Sequence, residues 1–272
     1  MSYTQTTIEL NKFTKKFNSD LKNFLPKSTN TLNKSINYSI LAGGKRFRPF
    51  LIYTFAKVLK VSPSNSIKIG IAVEMLHNYS LVHDDLPAMD NDKYRRGKKT
   101  THYKFNEYTA ILAGSALLTK AFELLVSKSF KIENDVRSNL VKELTFISGE
   151  EGLLKGQYQD LSLKKYNMKK RLEINKYKTG MLMAFCCQSV AIASSKSKTT
   201  QKKMYQLGMV IGEIFQINDD FSDFPKMNKK DTKMYMLKRD RLYKKGIKIM
   251  NNLNFKRSES FQMIDYVRDL IV

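Results

Sequence analysis

The chain has 272 residues, 42% of them hydrophobic and 11% aromatic, which is enough for a sizeable core and excludes a wholly disordered polypeptide. Lysine and arginine number 48 against 25 acidic residues, so the formal net charge is +23. These basic residues are scattered along the chain, without a dense basic arm, a zinc-finger spacing or an RNA-binding aromatic signature. We therefore expect a solvated basic surface and no specific nucleic-acid partner.

Cysteine usage and hydropathy indicate the compartment. Cys186 and Cys187 are the only cysteines, and their adjacency within an apolar run predicts core residues rather than a disulfide framework. Residues 1–13 contain no long apolar segment, so no signal peptide is expected. No stretch reaches the ~18 apolar residues of a membrane span. A reducing, cytoplasmic location fits these features.

Helical periodicity dominates the chain, and residues 88–224 contain no proline that would interrupt a long helix. Hairpin signals of the Asn-Gly type are missing, and alternating runs are few. The predicted helices cover residues 5–23, 29–41, 46–60, 65–86, 106–128, 134–153, 170–194, 200–224, 232–252 and 257–270. Asn65, Asn134 and Thr200 are predicted N-caps. We expect an all-α bundle that forms a single domain over residues 1–272.

Three carboxylates follow an apolar helical run in LVHDDLPAMD, residues 81–90. Asp84 and Asp85 are adjacent, whereas Asp90 comes too late to share their face of a straight helix. Because Pro87 lies between them, we expect the helix to loosen there and Asp90 to fold back toward Asp84.

A second acidic cluster, NDDFSDF, ends another apolar helix. Asp219, Asp220 and Asp223 lie within an arc of about 100° on a helix. Carboxylates that repel one another without a cation predict a hard cation, and Mg²⁺ fits because substrate phosphates complete its shell. A solvated acidic helix end is the alternative for either cluster alone. An EF-hand ligand pattern is missing, and three histidines without ligand spacing argue against zinc.

Basic motifs suited to phosphate accompany the acidic clusters. The segment GGKRFRP places Lys45, Arg46 and Arg48 after two glycines, which let the backbone approach an anion near a helix start.

The segment YRRGKKT supplies Arg95 and Arg96, whose planar guanidinium groups match phosphate oxygens. His77 precedes the first acidic cluster by one to two helical turns and is a candidate phosphate donor.

With these residues in view, the chain resembles the trans-isoprenyl diphosphate synthases, and most of all the bacterial farnesyl diphosphate synthases. Five segments in the family's order carry the resemblance over residues 37–224: GGKRFRPF, EMLHNYSLVHDDLPAMDNDKYRRGKKTTHYKFNE, GEEGLLKGQYQD, YKTGML and GEIFQINDDFSDF. The resemblance implies a single orthogonal bundle of roughly ten helices around a deep central cavity, usually as a homodimer.

The resemblance also implies an activity, the head-to-tail condensation of isopentenyl diphosphate with dimethylallyl or geranyl diphosphate to give farnesyl diphosphate. It implies about two or three Mg²⁺ ions per site between the Asp-rich segments, with Mn²⁺ as a substitute. Geranylgeranyl or another chain length, and a degraded or non-catalytic subunit, are the open alternatives. A terpene cyclase needs no isopentenyl site, so GGKRFRP and YRRG argue against one.

The same resemblance assigns roles to individual residues. The implied metal ligands are Asp84, Asp90 and Asp219, with Asp85, Asp220 and Asp223 as further or supporting ligands. Isopentenyl diphosphate is expected at Lys45, Arg48, His77 and Arg96. The allylic diphosphate is expected at Arg95, Lys178, Thr179 and Gln216. The residues expected to act in catalysis are Asp84, Asp90, Arg95, Lys178 and Asp219.

Tyr79 and Ser80 are the predicted chain-length residues. Tyr79 lies five residues before Asp84, ~7.5 Å along a helix, so its ring would form a floor for the growing prenyl tail. An aromatic there, together with the Pro-Ala pair of DDLPAMD, resembles the farnesyl-forming bacterial type. Ordinary helix packing is the alternative role of Tyr79.

The resemblance weakens after residue 224, where the chain reads FPKMNKKDTKMYMLKRD instead of the family's glycine-containing, lysine-bearing loop. The C-terminal part is therefore shortened, and the expected diphosphate-binding lysine is Lys226, Lys229 or Lys230. In GEEGLLKGQYQD, the GEE segment is an acidic variant of what is usually a stretch of small residues in the family. The GQYQD part keeps the family's Gly156, Gln157 and Asp160. These departures leave a slow or impaired enzyme as an alternative.

Overall fold

A computed structural model describes residues 3–164, 167–223, 229–255 and 260–270, with the side chains in these ranges except those of Ser222, Asp223 and Ser260. Thirteen α-helices dominate these ranges, which confirms the predicted all-α class. In chain order they are α1 Tyr3–Lys22, α2 Thr31–Ile40, α3 Phe47–Leu59, α4 Pro63–Asp84, α5 Thr101–Lys104, α6 Glu107–Val126, α7 Asn134–Ser148, α8 Leu153–Leu161, α9 Met168–Asn175, α10 Met181–Ala193, α11 Lys198–Asp223, α12 Lys229–Asn252 and α13 Ser260–Asp269.

The chain divides into two compact units. The larger unit comprises Met1–Ile8, Leu51–Pro63 and Ile132–Val272, and the smaller unit comprises Glu9–Phe50 and Ser64–Lys131. The prediction of a single domain therefore stays a prediction.

Helix α4 forms the centre of the smaller unit, since it is buried on nearly every side from Ile69 to Val82. A helix that is buried on nearly every side is typical of a core position. At its N-terminal end, Gly70 packs against Pro49 so closely that an added Cβ would lie 3.2 Å from the proline Cβ. Phe13 stacks on Phe17 nearby, with ring centroids 5.4 Å apart.

A two-stranded hairpin follows the first acidic cluster. Strands β1 (Tyr94–Arg95) and β2 (Lys98–Lys99) pair antiparallel, and the turn residues Arg96 and Gly97 have φ angles of 53° and 73°. Two consecutive left-handed residues are typical of a tight hairpin turn. The sequence prediction contained no strand, because it required an Asn-Gly pair and this turn uses Arg-Gly.

Helices α10 and α11 form the core of the larger unit. Residues Met181 to Ile192 of α10 are all buried, Cys186 and Cys187 among them, which confirms the prediction that both are core residues. Burial raises the pKa of the Cys187 thiol well above its usual range, so this thiol stays protonated. Gly208 permits the close packing, because an added Cβ would lie 2.4 Å from the Met183 carbonyl oxygen.

The predicted helices are present with shifted ends, but three details were wrong. Residues 170–194 form α9, a π-helical turn at Lys176–Gly180 and α10 rather than one helix. The short helices α5 and α8 were not predicted. The predicted caps are wrong as well: Asn65 lies inside α4, Asn134 is the first residue of α7, and Ser197 rather than Thr200 supplies the capping oxygen of α11.

Helix α6 is long and apolar enough to cross a membrane by length and composition, with a mean hydropathy of 1.5 over its most apolar window. Less than half of this window is buried within the protein. Core helices often share these properties, and one such helix is weak evidence for a span.

Candidate active site

The first acidic cluster lies where α4 ends. The helix stops at Asp84, and the backbone N–H of Asp90 donates to the Asp84 carbonyl oxygen at 2.9 Å. The N–H groups of Met89 and Asn91 both donate to Leu86, at 2.9 and 3.1 Å, so the loop after α4 is tightly wound. The predicted fold-back of Asp90 toward Asp84 is therefore confirmed at the level of the backbone.

Asp85 differs from its neighbours because it is buried and already paired. It is 4% exposed, and the Arg95 Nε donates to its Oδ1 at 2.6 Å. Burial raises the pKa of Asp85, while the charge and hydrogen bond of Arg95 oppose this rise. Asp84 is half-buried and Asp90 exposed, so these two carboxylates are the more accessible ones of the cluster.

The glycine-rich segment before α3 positions two arginines differently. Arg46 is 3% exposed, and it donates to the carboxylate of Glu74, to Asn18 Oδ1 at 2.9 Å and to the Ile40 carbonyl at 2.6 Å. The sequence grouped Arg46 with the phosphate-binding cations, and this was wrong. A buried, fully paired guanidinium stabilises the fold, and losing its partner typically costs about 3–5 kcal/mol.

Arg48 and Arg96 lie at the same end of the smaller unit. An Arg48 Nη atom lies 3.2 Å from His77 Nε2, and Arg96 donates to the Gly43 carbonyl oxygen. Gly44 has a φ of 132°, and a Cβ there would lie 2.5 Å from an Arg96 Nη atom. The two glycines thus allow a conformation and a close approach that place Arg96 against the loop.

His77 is surrounded by positive charge. Burial lowers its pKa well below the usual range, and the charges of Arg48, Arg96, Arg46 and Arg95 lower it further. The imidazole is therefore neutral near pH 7. It can accept from Arg48 with one nitrogen and donate with the other, which suits an anion arriving among these cations.

Tyr79 lies on α4 one residue before Ser80. Tyr79 is 9% exposed, and its ring meets that of His83 edge to face at 4.8 Å. The His83 ring in turn fills the space beside Gly114, where a Cβ would lie 2.4 Å from it. The Ser80 hydroxyl donates to the His77 carbonyl at 2.9 Å. Tyr79 therefore belongs to a tightly packed wall between α4 and α6.

The second acidic cluster ends α11 in the larger unit. Asp220 is fully buried and accepts hydrogen bonds from Asn175, Gln216 and Tyr235 at 2.9, 3.1 and 3.2 Å. Burial raises the pKa of Asp220, and these hydrogen bonds oppose the rise. Asp219 is half-buried, and the side chain of Asp223 lies outside the described part.

The π-helical turn presents Lys178 and Thr179. The Thr179 hydroxyl donates to Gln216 Oε1 at 2.8 Å, so the turn is linked through Gln216 to Asp220. Lys178 Nζ donates to Asp160 at 2.7 Å. Such turns replace the regular helical ladder and are frequent at functional sites.

Asp160 also accepts from Arg171 at 2.7 Å, so two cations share this carboxylate. Sequence reasoning kept Asp160 as part of a motif but missed its pairing, and it missed Arg171 and Tyr235 entirely. Their sequence context carried no signal, since Arg171 stands in a lysine-rich stretch and Tyr235 follows ordinary core spacing. Of the candidate lysines, Lys229 and Lys230 are exposed at the start of α12, whereas Lys226 lies outside the described residues.

The acidic side chains suit Mg²⁺ by donor type, since carboxylate oxygens are its preferred protein ligands. Within the described residues, however, no three His, Cys, Asp or Glu side chains form a group that could hold a metal ion by themselves. Among the candidates whose side chains are described, Asp84, Asp90 and Asp219 are less buried than Asp85 and Asp220, which accept hydrogen bonds from protein donors. A cation bound by one or two of these carboxylates would still need oxygens from a substrate.

Comparisons with known proteins give the family. The sequence model of the polyprenyl synthetase family matches residues 29–238. A farnesyl diphosphate synthase from Micrococcus luteus is 40% identical over 208 residues, which are 76% of this chain and 71% of that protein. One from Buchnera aphidicola is 39% identical over 222 residues, with 80% and 78% covered.

A solved structure agrees with these relatives. An FPP/GFPP synthase from Zymomonas mobilis superposes with a TM-score of 0.85 at 28% identity, covering 98% of this chain and 97% of that one. The chain belongs to the polyprenyl synthetase family.

Proposed function

We propose that the protein condenses isopentenyl diphosphate with dimethylallyl and geranyl diphosphates to give farnesyl diphosphate. The similarity to farnesyl diphosphate synthases over most of their length supports this proposal. The observation that carries it is the position of Arg48 beside His77 and of Arg96 against the Gly43 carbonyl, because guanidinium groups placed in this way match the oxygens of a phosphate.

Isopentenyl diphosphate is assigned to Lys45, Arg48, His77 and Arg96. Arg48 and Arg96 act as charged donors to phosphate oxygens, and the neutral His77 adds a directed hydrogen bond. Arg46 has no part in this site, since its guanidinium is buried against Glu74.

The allylic diphosphate is assigned to Arg95, Lys178, Thr179 and Gln216. In the larger unit, Asp160 orients Lys178, so this donor is positioned before a substrate arrives, and Thr179 is held against Gln216 by its hydroxyl. Such preorganisation lowers the cost of stabilising charge that develops during a reaction.

The reaction breaks the allylic carbon–oxygen bond, and the isopentenyl double bond then adds to the resulting cation with loss of a proton. The basic residues stabilise the departing pyrophosphate, which also accepts the proton. A Mg²⁺ ion bound by Asp84, Asp90 or Asp219 would neutralise part of the pyrophosphate charge. Exclusion of water by apolar surroundings protects the cation.

Product length is assigned to Tyr79 and Ser80. Because α4 is continuous from Pro63 to Asp84, Tyr79 lies about 7.5 Å along the helix from Asp84, near the length of a short prenyl tail. Its burial and its contact with His83 would make the ring a rigid floor.

A homodimer is proposed from the exposed face of α6. Tyr108, Leu112 and Val126 share this face and are 68%, 51% and 56% exposed. Ser115 and Thr119 lie between them on the same face, and their hydroxyls donate to carbonyls of their own helix. These hydroxyl protons therefore need no acceptor from a partner chain. This stripe of exposed apolar side chains, interrupted by the two hydroxyls, is typical of a protein interface, and a second copy of the chain can supply the matching stripe. A cytoplasmic location remains part of the proposal.

The test is incubation with labelled isopentenyl diphosphate, Mg²⁺ and each allylic primer in turn, followed by sizing of the dephosphorylated products. Dimethylallyl and geranyl primers should both give a C15 alcohol. A main product of C20 or longer would show that the assigned product length is wrong. No elongation from any primer would remove the enzymatic proposal and favour a non-catalytic subunit.

A further inference from the structure

The solvent side of α12 carries an ordered row of positive charge. Lys233, Arg241, Lys244 and Lys248 are all exposed, and Leu237 lies among them. At ~100° and ~1.5 Å per residue, these five side chains fall within an arc of about 80° over about 22 Å of helix. We call these five residues the basic face.

The orientation of this face is fixed by the opposite side of the helix. Tyr235, Leu242, Gly246 and Ile249 are buried, so α12 packs along one side and presents the other to solvent. The helix holds nine basic and two acidic residues, and only Asp240 lies at the edge of the face. The acidic residues of α12 itself therefore offset little of the charge of the basic face.

Exposed apolar side chains are interleaved with the cations. Met234, Met236 and Leu237 are 40%, 48% and 48% exposed, although they neighbour strongly hydrated lysines. Beside Lys244, an open groove of about 460 Å³ is lined by Tyr243, Ile247, Phe261 and Asp265 as well. Cations combined with apolar side chains are typical of a helix that lies in a lipid–water interface. A nucleic-acid site would need the cations but gains little from exposed methionine and leucine.

We propose that the basic face of α12 binds the surface of an anionic lipid bilayer. The lysine and arginine side chains would contact lipid phosphates, and Leu237 and Met234 would insert among the headgroups. This surface involves none of the residues assigned to the isopentenyl or allylic diphosphates, so it is independent of the proposed activity.

The test is sedimentation of the full-length protein with vesicles of phosphatidylcholine alone or of phosphatidylcholine with a quarter phosphatidylglycerol. The test variant carries Lys233→Gln, Arg241→Gln, Lys244→Gln and Lys248→Gln. A matched control carries Lys12→Gln, Lys15→Gln, Lys16→Gln and Lys22→Gln, four exposed lysines of α1. Both variants lose the same net charge, so they separate a specific face from the overall charge of +23.

At about 0.1 M salt, the wild type and the α1 control should bind the anionic vesicles, and the α12 variant should bind at least about tenfold more weakly. Leu237→Ser should weaken binding by roughly threefold, because its apolar contact is lost. Circular dichroism checks that each variant keeps its helices.

Equal losses in the two charge variants would overturn the proposal, since net charge alone would then explain binding. Failure of the wild type to bind anionic vesicles, or equal binding to phosphatidylcholine alone, would overturn it as well. So would an RNA duplex that binds through the same lysines while the vesicles stay unbound.

Discussion

Two arginines in one segment differ in role for a reason that lies in their surroundings. Arg46 and Arg48 are two positions apart, yet Arg46 is enclosed with Glu74 and Arg48 lies beside His77. In the sequence, both arginines follow the same two glycines within one basic segment. The sequence could not show that a buried glutamate on α4 pairs with one of them, because that pairing depends on how α3 and α4 pack.

The charge around His77 predicts how stability depends on pH. Its folded pKa lies below its unfolded value, so below about pH 6.5 the unfolded state binds a proton that the folded state excludes. The free energy of unfolding therefore falls as the pH drops through this range. In His77→Gln this contribution disappears, and denaturant unfolding at pH 7.5 and pH 5 should show a smaller loss than in the wild type.

His102→Gln is the control, because it removes a histidine of the same unit that lies on α5. An identical pH dependence in wild type and His77→Gln would show that the folded protein protonates His77 freely.

Tyr79 should set the product length. Tyr79→Ala opens space beneath Asp84, and we expect the main product to lengthen by at least one C5 unit. Chromatographic sizing of the dephosphorylated products measures this. Leu76→Ala, a change one turn earlier on the buried side of α4, controls for general loosening of the helix. If Tyr79→Ala gave an unchanged product, the ring of Tyr79 would serve only in helix packing and would not set the product length.

At the scale of elements, the loop before α3 shows how glycine serves a site. Gly43 and Gly44 have φ angles of 105° and 132°, a region that side chains rarely adopt. A Cβ at Gly44 would strike the Arg96 guanidinium, whereas a Cβ at Gly43 would meet nothing within 4 Å. The two positions therefore share backbone strain but differ in their effect on Arg96.

This difference gives a matched pair of variants. Gly44→Ala should displace Arg96 and raise the KM for isopentenyl diphosphate by about tenfold, with a smaller effect on kcat. Gly43→Ala should cost stability without this rise. Steady-state kinetics of both variants measures the difference, and equal KM values would show that Arg96 does not bind this substrate.

Elements were predictable where periodicity extends over several turns and were missed where geometry depends on contacts. The long helices follow from their apolar spacing, and so does the break after Asp84, where Pro87 ends the pattern. The π-helical turn at Lys176–Gly180 was not predictable, because it depends on close packing against α11. Gly212 shows this packing, since a Cβ there would lie 2.9 Å from the Gly180 Cα.

The candidate site was predictable to the same extent. Acidic and basic residues can be read directly from a sequence, so the carboxylates, Arg48, Arg96 and Lys178 could be proposed as site residues, and these assignments stay predictions. Their protein partners were not, because Asp160 and Tyr235 acquire a role only through the fold. The structure thus shows which of these groups already pair with protein partners and which are accessible to a ligand.

At the scale of the whole molecule, the exposed stripe of α6 should control assembly. Leu112→Arg places a charge within the stripe, and analytical ultracentrifugation should show a dimer in the wild type and a monomer in the variant. Leu161→Arg, on an exposed leucine of α8, is the control and should leave the dimer intact. A wild-type monomer, or a dimer that tolerates Leu112→Arg, would rule out this face as the interface.

The central proposal is that Asp84 and Asp219 both take part in the formation of farnesyl diphosphate. The most direct measurement compares the rate of farnesyl diphosphate formation by the wild type, Asp84→Asn, Asp219→Asn and the control Asp135→Asn, an exposed aspartate of α7. We expect each of the first two changes to lower kcat by roughly 10³-fold while the helical content and the control's rate are unchanged. Near-wild-type rates in both Asp84→Asn and Asp219→Asn would contradict the proposal.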